Sequence, residues 1–197
     1  VLERACRQLR DWRERFGMRD FKMSVNVASR QFEAPDLDTR VQRALRSAGI
    51  PADALELEIT ETVACADITR TLEYLGRLRA LGIGLSLDDF GTGHSSLRYL
   101  QRMPISVLKI ARSFVIEIGN GPKGEAVIES VLALCRRLGL VSVAEGVETP
   151  AQASYLREHG CDLIQGYLYG RPVPAETFQA LIEREYRQPP ATVAARR

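Results

Sequence analysis

Several features that would indicate a particular chemistry are missing from this chain of 197 residues. It has two histidines and four cysteines with no C-x-x-C pair, so neither a zinc site nor a disulfide framework is predicted. Its 27 basic and 25 acidic residues give a formal charge of +2, without the basic excess that binds a nucleic-acid polymer. No stretch approaches the roughly 18 consecutive apolar residues that span a bilayer, and the N-terminus lacks a signal-peptide pattern. These absences predict a cytoplasmic domain that contacts neither membrane nor nucleic-acid polymer.

What the sequence does contain is a regular alternation of short β-rich runs with longer amphipathic stretches. The predicted strands are Lys22–Val27, Leu55–Ile59, Gly84–Leu87, Val107–Ile110, Val141–Ala144 and Leu163–Tyr167. Helical patterns lie between them, at Asp38–Ala48, Ala66–Leu81, Gly124–Leu138, Pro150–His159 and Pro174–Tyr186, and a further helix opens the chain. Repeated βα units imply a parallel sheet, either open or closed into a barrel.

The polar residues at the strand ends favour the barrel, because an open sheet concentrates its ligand groups at one switch point. The predicted fold class is therefore α/β, a TIM-type (β/α)8 barrel. A complete barrel takes about 250 residues and a βα unit takes roughly 30, so about six of eight units are expected here. The chain starts at Val1 inside a helical pattern, and we expect two units to precede it. The barrel domain is predicted over 1–187, and 188–197 is predicted to be a tail or linker.

The predicted strand ends carry a set of mostly acidic residues. They are Asn26, Glu58, Glu61, Asp88, Asp89, Lys109, Glu145, Glu148 and Gln165. In a barrel these side chains converge on one face, where the carboxylates repel one another unless a cation neutralises them. Oxygen ligands without His or Cys suit Mg²⁺, Mn²⁺ or Ca²⁺. Glu58, Asp88 and Asp89 are therefore predicted to share one divalent-metal site.

Two local patterns leave alternatives open. Successive strand side chains alternate faces, so Asp88 and Asp89 reach one pocket only if the strand ends there, with the turn formed by Gly91 and Gly93. The alternative is that the two aspartates belong to an acidic turn that is exposed to solvent and has no functional role. Lys109 lies two residues from the end of an apolar run, where it either forms a structural ion pair or orients a nucleophilic water. A Schiff-base role is disfavoured, because neighbouring carboxylates keep the amine charged.

His94 follows the glycine-rich turn and is predicted to lie at the surface or at a helix start, while His159 is predicted at a helix C-terminus. Neither histidine is placed in the site. Glu61 and Glu148 each lie three residues beyond a strand-end carboxylate, and both are expected to hold their loops through backbone N–H groups.

Up to Pro174 the chain resembles the EAL-domain cyclic di-GMP phosphodiesterases of bacterial signalling. The resemblance rests on SVNVASRQF at 24–32, ELEITET at 56–62, LSLDDFGTGHSSL at 85–97, LKIARSFV at 108–115, AEGVET at 144–149 and QGYLYGRP at 165–172. It implies a modified TIM barrel in which two Mg²⁺ or Mn²⁺ ions activate a water that opens cyclic di-GMP to linear pGpG. Ca²⁺ is expected to support binding without turnover.

The resemblance also implies roles for individual residues. Asn26, Glu58 and Asp88 are expected to be metal ligands, with Asp89 at the second metal. Lys109 is expected to hold the attacking water, and Glu145 to act as general base or second-metal support. Glu61 is expected to steady the loop after Asp88 and Asp89, and Gln165 to contact the metal–water network or the nucleotide.

Two departures from the family pattern limit these expectations. The segment that names the family, with a metal-binding Glu and a phosphate-contacting Arg, does not occur in this chain. Ala111 stands where the family usually has Asp, which removes an acidic group near the second metal. A receptor that binds cyclic di-GMP without turnover is therefore one alternative, and a dimerisation module built on the segment after Asp89 is another. A homodimer and an upstream sensor or GGDEF-type domain are further expectations.

Overall fold

Six parallel strands form one sheet in the computed structural model, which describes residues 1–93 and 97–186. The strands follow the order of the chain: β1 Met23–Asn26, β2 Leu55–Thr60, β3 Gly84–Phe90, β4 Val107–Ile110, β5 Val141–Ala144 and β6 Leu163–Ile164. Consecutive parallel neighbours require a crossover after each strand, and helices provide these crossovers. This arrangement is that of a TIM-type barrel, and the described residues contain six βα units.

Ten α-helices occur in the described residues. They are α1 Leu2–Phe16, α2 Ser29–Phe32, α3 Leu37–Ala48, α4 Glu61–Ala66, α5 Ile68–Ala80, α6 Leu97–Leu100, α7 Arg112–Val115, α8 Pro122–Leu138, α9 Pro150–Glu158 and α10 Ala175–Tyr186. Helix α9 begins with Pro150 after a capping box, in which Thr149 Oγ1 accepts from Gln152 N and Gln152 Oε1 accepts from Thr149 N. Helix α8 ends at Gly139, which has a φ of 68° that favours glycine.

The two faces of the sheet differ in character because strand side chains alternate. One face is apolar and completely buried under the helices, and it includes Leu55, Leu57, Ile59, Leu85, Leu87, Leu108 and Ile110. The other face carries Ser24, Glu56, Glu58, Ser86, Asp88 and Lys109. It encloses a cavity of about 890 Å³ that both β1 and β6 line, so the sheet curves around its polar face. The polar groups therefore lie inside the curve.

The predicted order of strands and helices is confirmed, and two strand bounds are wrong by three residues, whereas the others lie within one residue of those observed. Strand β3 continues three residues beyond Leu87, and β6 ends at Ile164, three residues before Tyr167. The predicted tail at 188–197, the domain boundary at 187 and the predicted position of His94 lie outside the described residues. His159 follows α9 as its C-cap, as predicted. Among residues 1–93 and 97–186, no helix combines the length and apolar character that a membrane crossing requires.

Candidate metal centre

Lys109 lies at the centre of a cluster of carboxylates on the inner face of the sheet. Its Nζ is 2.7 Å from Glu145 Oε1, 2.9 Å from Glu58 Oε2 and 3.2 Å from Asp88 Oδ1. Only 6% of Lys109 is exposed. These residues come from β2, β3, β4 and the end of β5, so the parallel register alone brings them together. The lysine offsets part of the negative charge that the strand ends concentrate here.

The electrostatics of the cluster follow from this geometry. Burial alone would lower the pKa of Lys109, but the hydrogen bonds and charges of Glu145 and Glu58 outweigh it and raise that pKa above the ordinary lysine value. Burial raises the pKa of Glu145, and Lys109 offsets part of this rise. Lys109 is therefore held as an ammonium ion, which excludes it as a Schiff-base nucleophile at neutral pH.

Asp88 and Asp89 reach the site through a backbone arrangement that differs from the predicted one. The strand does not end at Asp88, because β3 continues to Phe90, which pairs with Ile110 after a register shift that follows Leu87. Asp89 adopts a left-handed φ of 55° and is the one non-glycine residue with positive φ among those described. Such a bulge inserts one extra residue into the strand and changes the direction of its side chain, so that two neighbouring side chains can face the same side of the sheet. The prediction that the strand ends at Asp88 is therefore wrong, although the prediction that both carboxylates meet is right.

Three carboxylates lie close enough to share a cation. Ligand oxygens of Asp88, Asp89 and Glu145 all lie within 4.8 Å of one another. Asp88 is buried, Glu145 is half-buried and Asp89 is exposed, so the trio opens toward solvent on one side. Its donors are hard oxygens without His or Cys, which fits Mg²⁺, Mn²⁺ or Ca²⁺. Glu58 was predicted to belong to the same group. It is linked to this trio through Lys109, whose Nζ contacts both Glu58 and Asp88.

Glu61 supports the turn that follows Asp89. It is the first residue of α4 and is 1% exposed, and its Oε2 accepts a hydrogen bond of 2.6 Å from the amide of Gly91. A Cβ at Gly93 would lie 2.9 Å from Glu61 Oε1, so both glycines of the turn lie close to this carboxylate. This position agrees with the expected role of Glu61 in steadying that loop.

Two predicted site residues lie at the edges of the cluster. Asn26 ends β1 beside Glu58 in the strand register, with its side chain exposed. Gln165 follows β6 and lines the same cavity as Glu58 and Lys109, also exposed. The Gln165 backbone is fixed, since its N donates to Ala144 O and its O accepts from Val147 N. Both residues are thus exposed, and Gln165 also lines the cavity.

Ala111 directly follows β4 and is 2% exposed. It is the N-cap of α7, and as an alanine it provides no side-chain oxygen for the helix. Its N–H points to Phe90 O at 3.5 Å, so it lies against the end of β3 that bears the two aspartates. A carboxylate at this position would add to the charge beside Asp88 and Asp89.

Contacts between the loops were not predicted from the sequence. Arg112 Nη2 lies 2.7 Å from Glu148 Oε1, and Gly146 approaches the Arg112 side chain so closely that a Cβ there would overlap it. A Cβ at Gly91 would likewise overlap the ring of Phe114. The glycines themselves were the available sequence signal, because Gly is favoured where another segment approaches the backbone closely. Both adopt a positive φ, 99° at Gly91 and 68° at Gly146.

Comparison with known proteins identifies the family to which the chain belongs. The family model described as the EAL domain matches residues 1–172. The cyclic di-GMP phosphodiesterase NbdA of Pseudomonas aeruginosa is 43% identical over 187 residues, which are 95% of this chain and 24% of that protein. MucR of the same organism, a bifunctional diguanylate cyclase and cyclic di-GMP phosphodiesterase, is 44% identical over 182 residues, 92% of this chain and 26% of that protein.

Solved structures show the same fold. The MucR phosphodiesterase in complex with cyclic di-GMP has a TM-score of 0.86 and 44% identity, covering 90% of this chain and 72% of that one. Klebsiella pneumoniae BlrP1 in a complex with manganese and cyclic di-GMP has a TM-score of 0.77 and 30% identity, covering 87% of this chain and 44% of that one. The chain spans about a quarter of the two curated relatives. It belongs to the EAL domain family.

Proposed function

We propose that the intact protein is a phosphodiesterase that hydrolyses cyclic di-GMP to linear pGpG. The observation that carries this proposal is the cluster of Asp88, Asp89 and Glu145 within 4.8 Å, with Lys109 against two of its members. Carboxylates arranged in this way fit a divalent-metal phosphodiesterase, and both Pseudomonas relatives are named as acting on cyclic di-GMP. The similarity extends over 92% of the chain or more in these two cases.

In this proposal Asn26, Glu58, Asp88 and Asp89 hold two Mg²⁺ or Mn²⁺ ions. When bound, such ions lower the pKa of a coordinated water and stabilise charge on the phosphate oxygens. Support for divalent metals comes from BlrP1, which is described in complexes of cyclic di-GMP with manganese and with calcium. Ca²⁺ is proposed to permit binding and to inhibit turnover.

The chain's own groups then position the reactants. Lys109 donates hydrogen bonds through its three N–H groups and is proposed to hold the attacking water while offsetting charge on a phosphate oxygen. Glu145, half-buried beside Lys109, is proposed to accept the proton of that water or to support the second metal. Glu61 keeps the loop after Asp89 in place through Gly91. Gln165, exposed in the shared cavity, is proposed to contact the nucleotide or the water network.

The test is hydrolysis of cyclic di-GMP by the intact protein with Mg²⁺ or Mn²⁺, beside a binding measurement with Ca²⁺. We expect pGpG in the first assay and binding without turnover in the second. Conversion that needs no divalent metal, or binding in every metal without any pGpG, would contradict the proposal. Lys109→Met is the matched variant and is expected to abolish turnover.

A receptor is the second candidate, and Ala111 is the observation that favours it. This position contributes no carboxylate although it is buried against the end of β3. A site with one acidic group fewer would bind cyclic di-GMP while hydrolysing it slowly. Binding at saturation with no pGpG would favour this reading.

The partners and the cellular location of the intact protein are also proposals. The bifunctional name of MucR supports a linked cyclase-type or sensor domain in the intact protein. A homodimer and a cytoplasmic location remain predictions. Size-exclusion chromatography with light scattering, with and without cyclic di-GMP, tests the dimer.

A further inference from the structure

Helix α7, the turn Arg112–Val115 that directly follows the strand of Lys109, contacts two loops of the site from one position. One loop is the turn at Gly91, which directly follows the end of β3 that carries Asp88 and Asp89. The other follows β5 and carries Glu145. The three carboxylates that lie within 4.8 Å of one another thus come from the end of β3 and from the loop after β5, and their spacing depends on how these two segments are held relative to each other.

Phe114 contacts the first loop. Its ring lies where a Cβ of Gly91 would be, so the ring and the Gly91 backbone are in direct contact. On the other side of this residue, Glu61 accepts the Gly91 N–H. The turn after Asp89 is therefore held between a carboxylate from α4 and an aromatic ring from α7.

Arg112 contacts the second loop in two ways. Its aliphatic stem lies where a Cβ of Gly146 would be, one residue after Glu145. Its guanidinium forms the 2.7 Å ion pair with Glu148. The loop is held from other directions as well, since Gln152 Oε1 accepts from Glu148 N and a Cβ at Gly166 would overlap the Val147 backbone.

We propose that Arg112 and Phe114 are positioning residues that set the distance between the aspartate pair and Glu145 in the metal centre. This inference rests on the proposed metal-dependent function and adds two residues to it. Groups that hold metal ligands in place without touching the metal commonly change metal affinity by about 10- to 100-fold. Here Arg112 and Phe114 would act through the loops at Gly146 and Gly91, where glycine has no side chain to separate α7 from the loop backbone.

The test measures Mn²⁺ affinity of the intact protein by electron paramagnetic resonance titration, in the absence of nucleotide. Phe114→Ala and Arg112→Ala are each expected to weaken Mn²⁺ binding by about tenfold. Phe114→Leu keeps an apolar contact with Gly91, and Arg112→Met keeps the stem over Gly146 while removing the ion pair. Both are expected to fall between the wild type and the alanine variants. Thermal unfolding confirms that each variant is folded at the assay temperature.

Arg15→Ala is the matched control, because it removes an exposed arginine from a 2.6 Å ion pair with Glu183 in α10. It is expected to leave Mn²⁺ affinity unchanged. Wild-type Mn²⁺ affinity in both folded alanine variants would overturn the inference and leave the proposed phosphodiesterase untouched. Weakened Mn²⁺ binding in a protein that forms no pGpG would support the inference and overturn the proposed function. A wild-type protein that binds no Mn²⁺ would overturn both.

Discussion

The carboxylate of Glu61 accepts the backbone N–H of Gly91 at 2.6 Å, so a residue at the end of one strand fixes the turn that follows the next. The two residues are 30 positions apart in the chain. Their contact is what keeps the loop after Asp89 in a defined conformation, and it is almost completely closed to solvent at Glu61.

Removing this contact tests its contribution. Glu61→Ala leaves the Gly91 amide without its acceptor, and we expect a loss of about 2 kcal/mol in the free energy of unfolding and a clear drop in kcat. Glu61→Gln retains an acceptor oxygen and should keep most of the stability. Urea unfolding and steady-state hydrolysis measure the two effects. Equal stability in the alanine and glutamine variants would show that the hydrogen bond does not matter.

Lys109 provides a prediction about metal-free protein. Lys109→Met leaves Glu58, Asp88 and Glu145 without their shared cation, which should destabilise the protein by roughly 3 kcal/mol in EDTA. Mn²⁺ should restore part of that stability, because it supplies positive charge to the same carboxylates. Urea unfolding with and without Mn²⁺ measures this difference. If the free energy of unfolding of this variant is the same with and without Mn²⁺, the result would argue against a metal site beside Lys109.

Ala111 can be given the carboxylate that is usual in the family. Ala111→Asp is expected to strengthen Mn²⁺ binding and to raise kcat, both by about tenfold. Asp would also cap α7, so Ala111→Asn is the matched control, since it caps a helix equally well without the charge. The aspartate effect should exceed the asparagine effect in both assays. Equal effects would assign the gain to helix capping.

Asp162 gives a prediction of pH dependence away from the site. Its Oδ2 accepts from the backbone N and the hydroxyl of Ser142, and these hydrogen bonds lower the pKa of Asp162. A lowered pKa means that the charged form stabilises the fold above about pH 4, the ordinary aspartate value, and that this stability is lost as the pH falls through the lower folded pKa. Asp162→Asn should therefore be less stable than wild type at pH 7, with the gap shrinking below pH 4. Parallel stability curves from pH 7 to pH 3 would contradict this.

The strand order and most of the acidic site were predictable because both depend on local periodicity. Parallel strands place their C-terminal ends at one rim, so Glu58, Asp88 and Lys109 were expected together from the positions of their strands alone. All six predicted strands start at their observed first residue or one residue from it, since the apolar runs that form them are short and clearly delimited.

What the sequence could not supply was the geometry between segments. The bulge at Asp89 depends on pairing with β4, and periodicity along one strand does not report such a pairing. The contact of Arg112 with Glu148 joins residues 36 positions apart, and that of Phe114 with Gly91 joins helix α7 to the turn after β3. Such contacts depend on packing after the chain has folded, whereas Glu61 was recognised through the family motif.

Lys109 has a consequence for biosynthesis. A newly made chain must bring Glu58, Asp88 and Glu145 to the same place before any ion from solution is bound there. The ammonium group belongs to the same polypeptide, so every copy has its own counter-ion from the moment of translation. Neutralising these three carboxylates during folding thus does not require a metal ion.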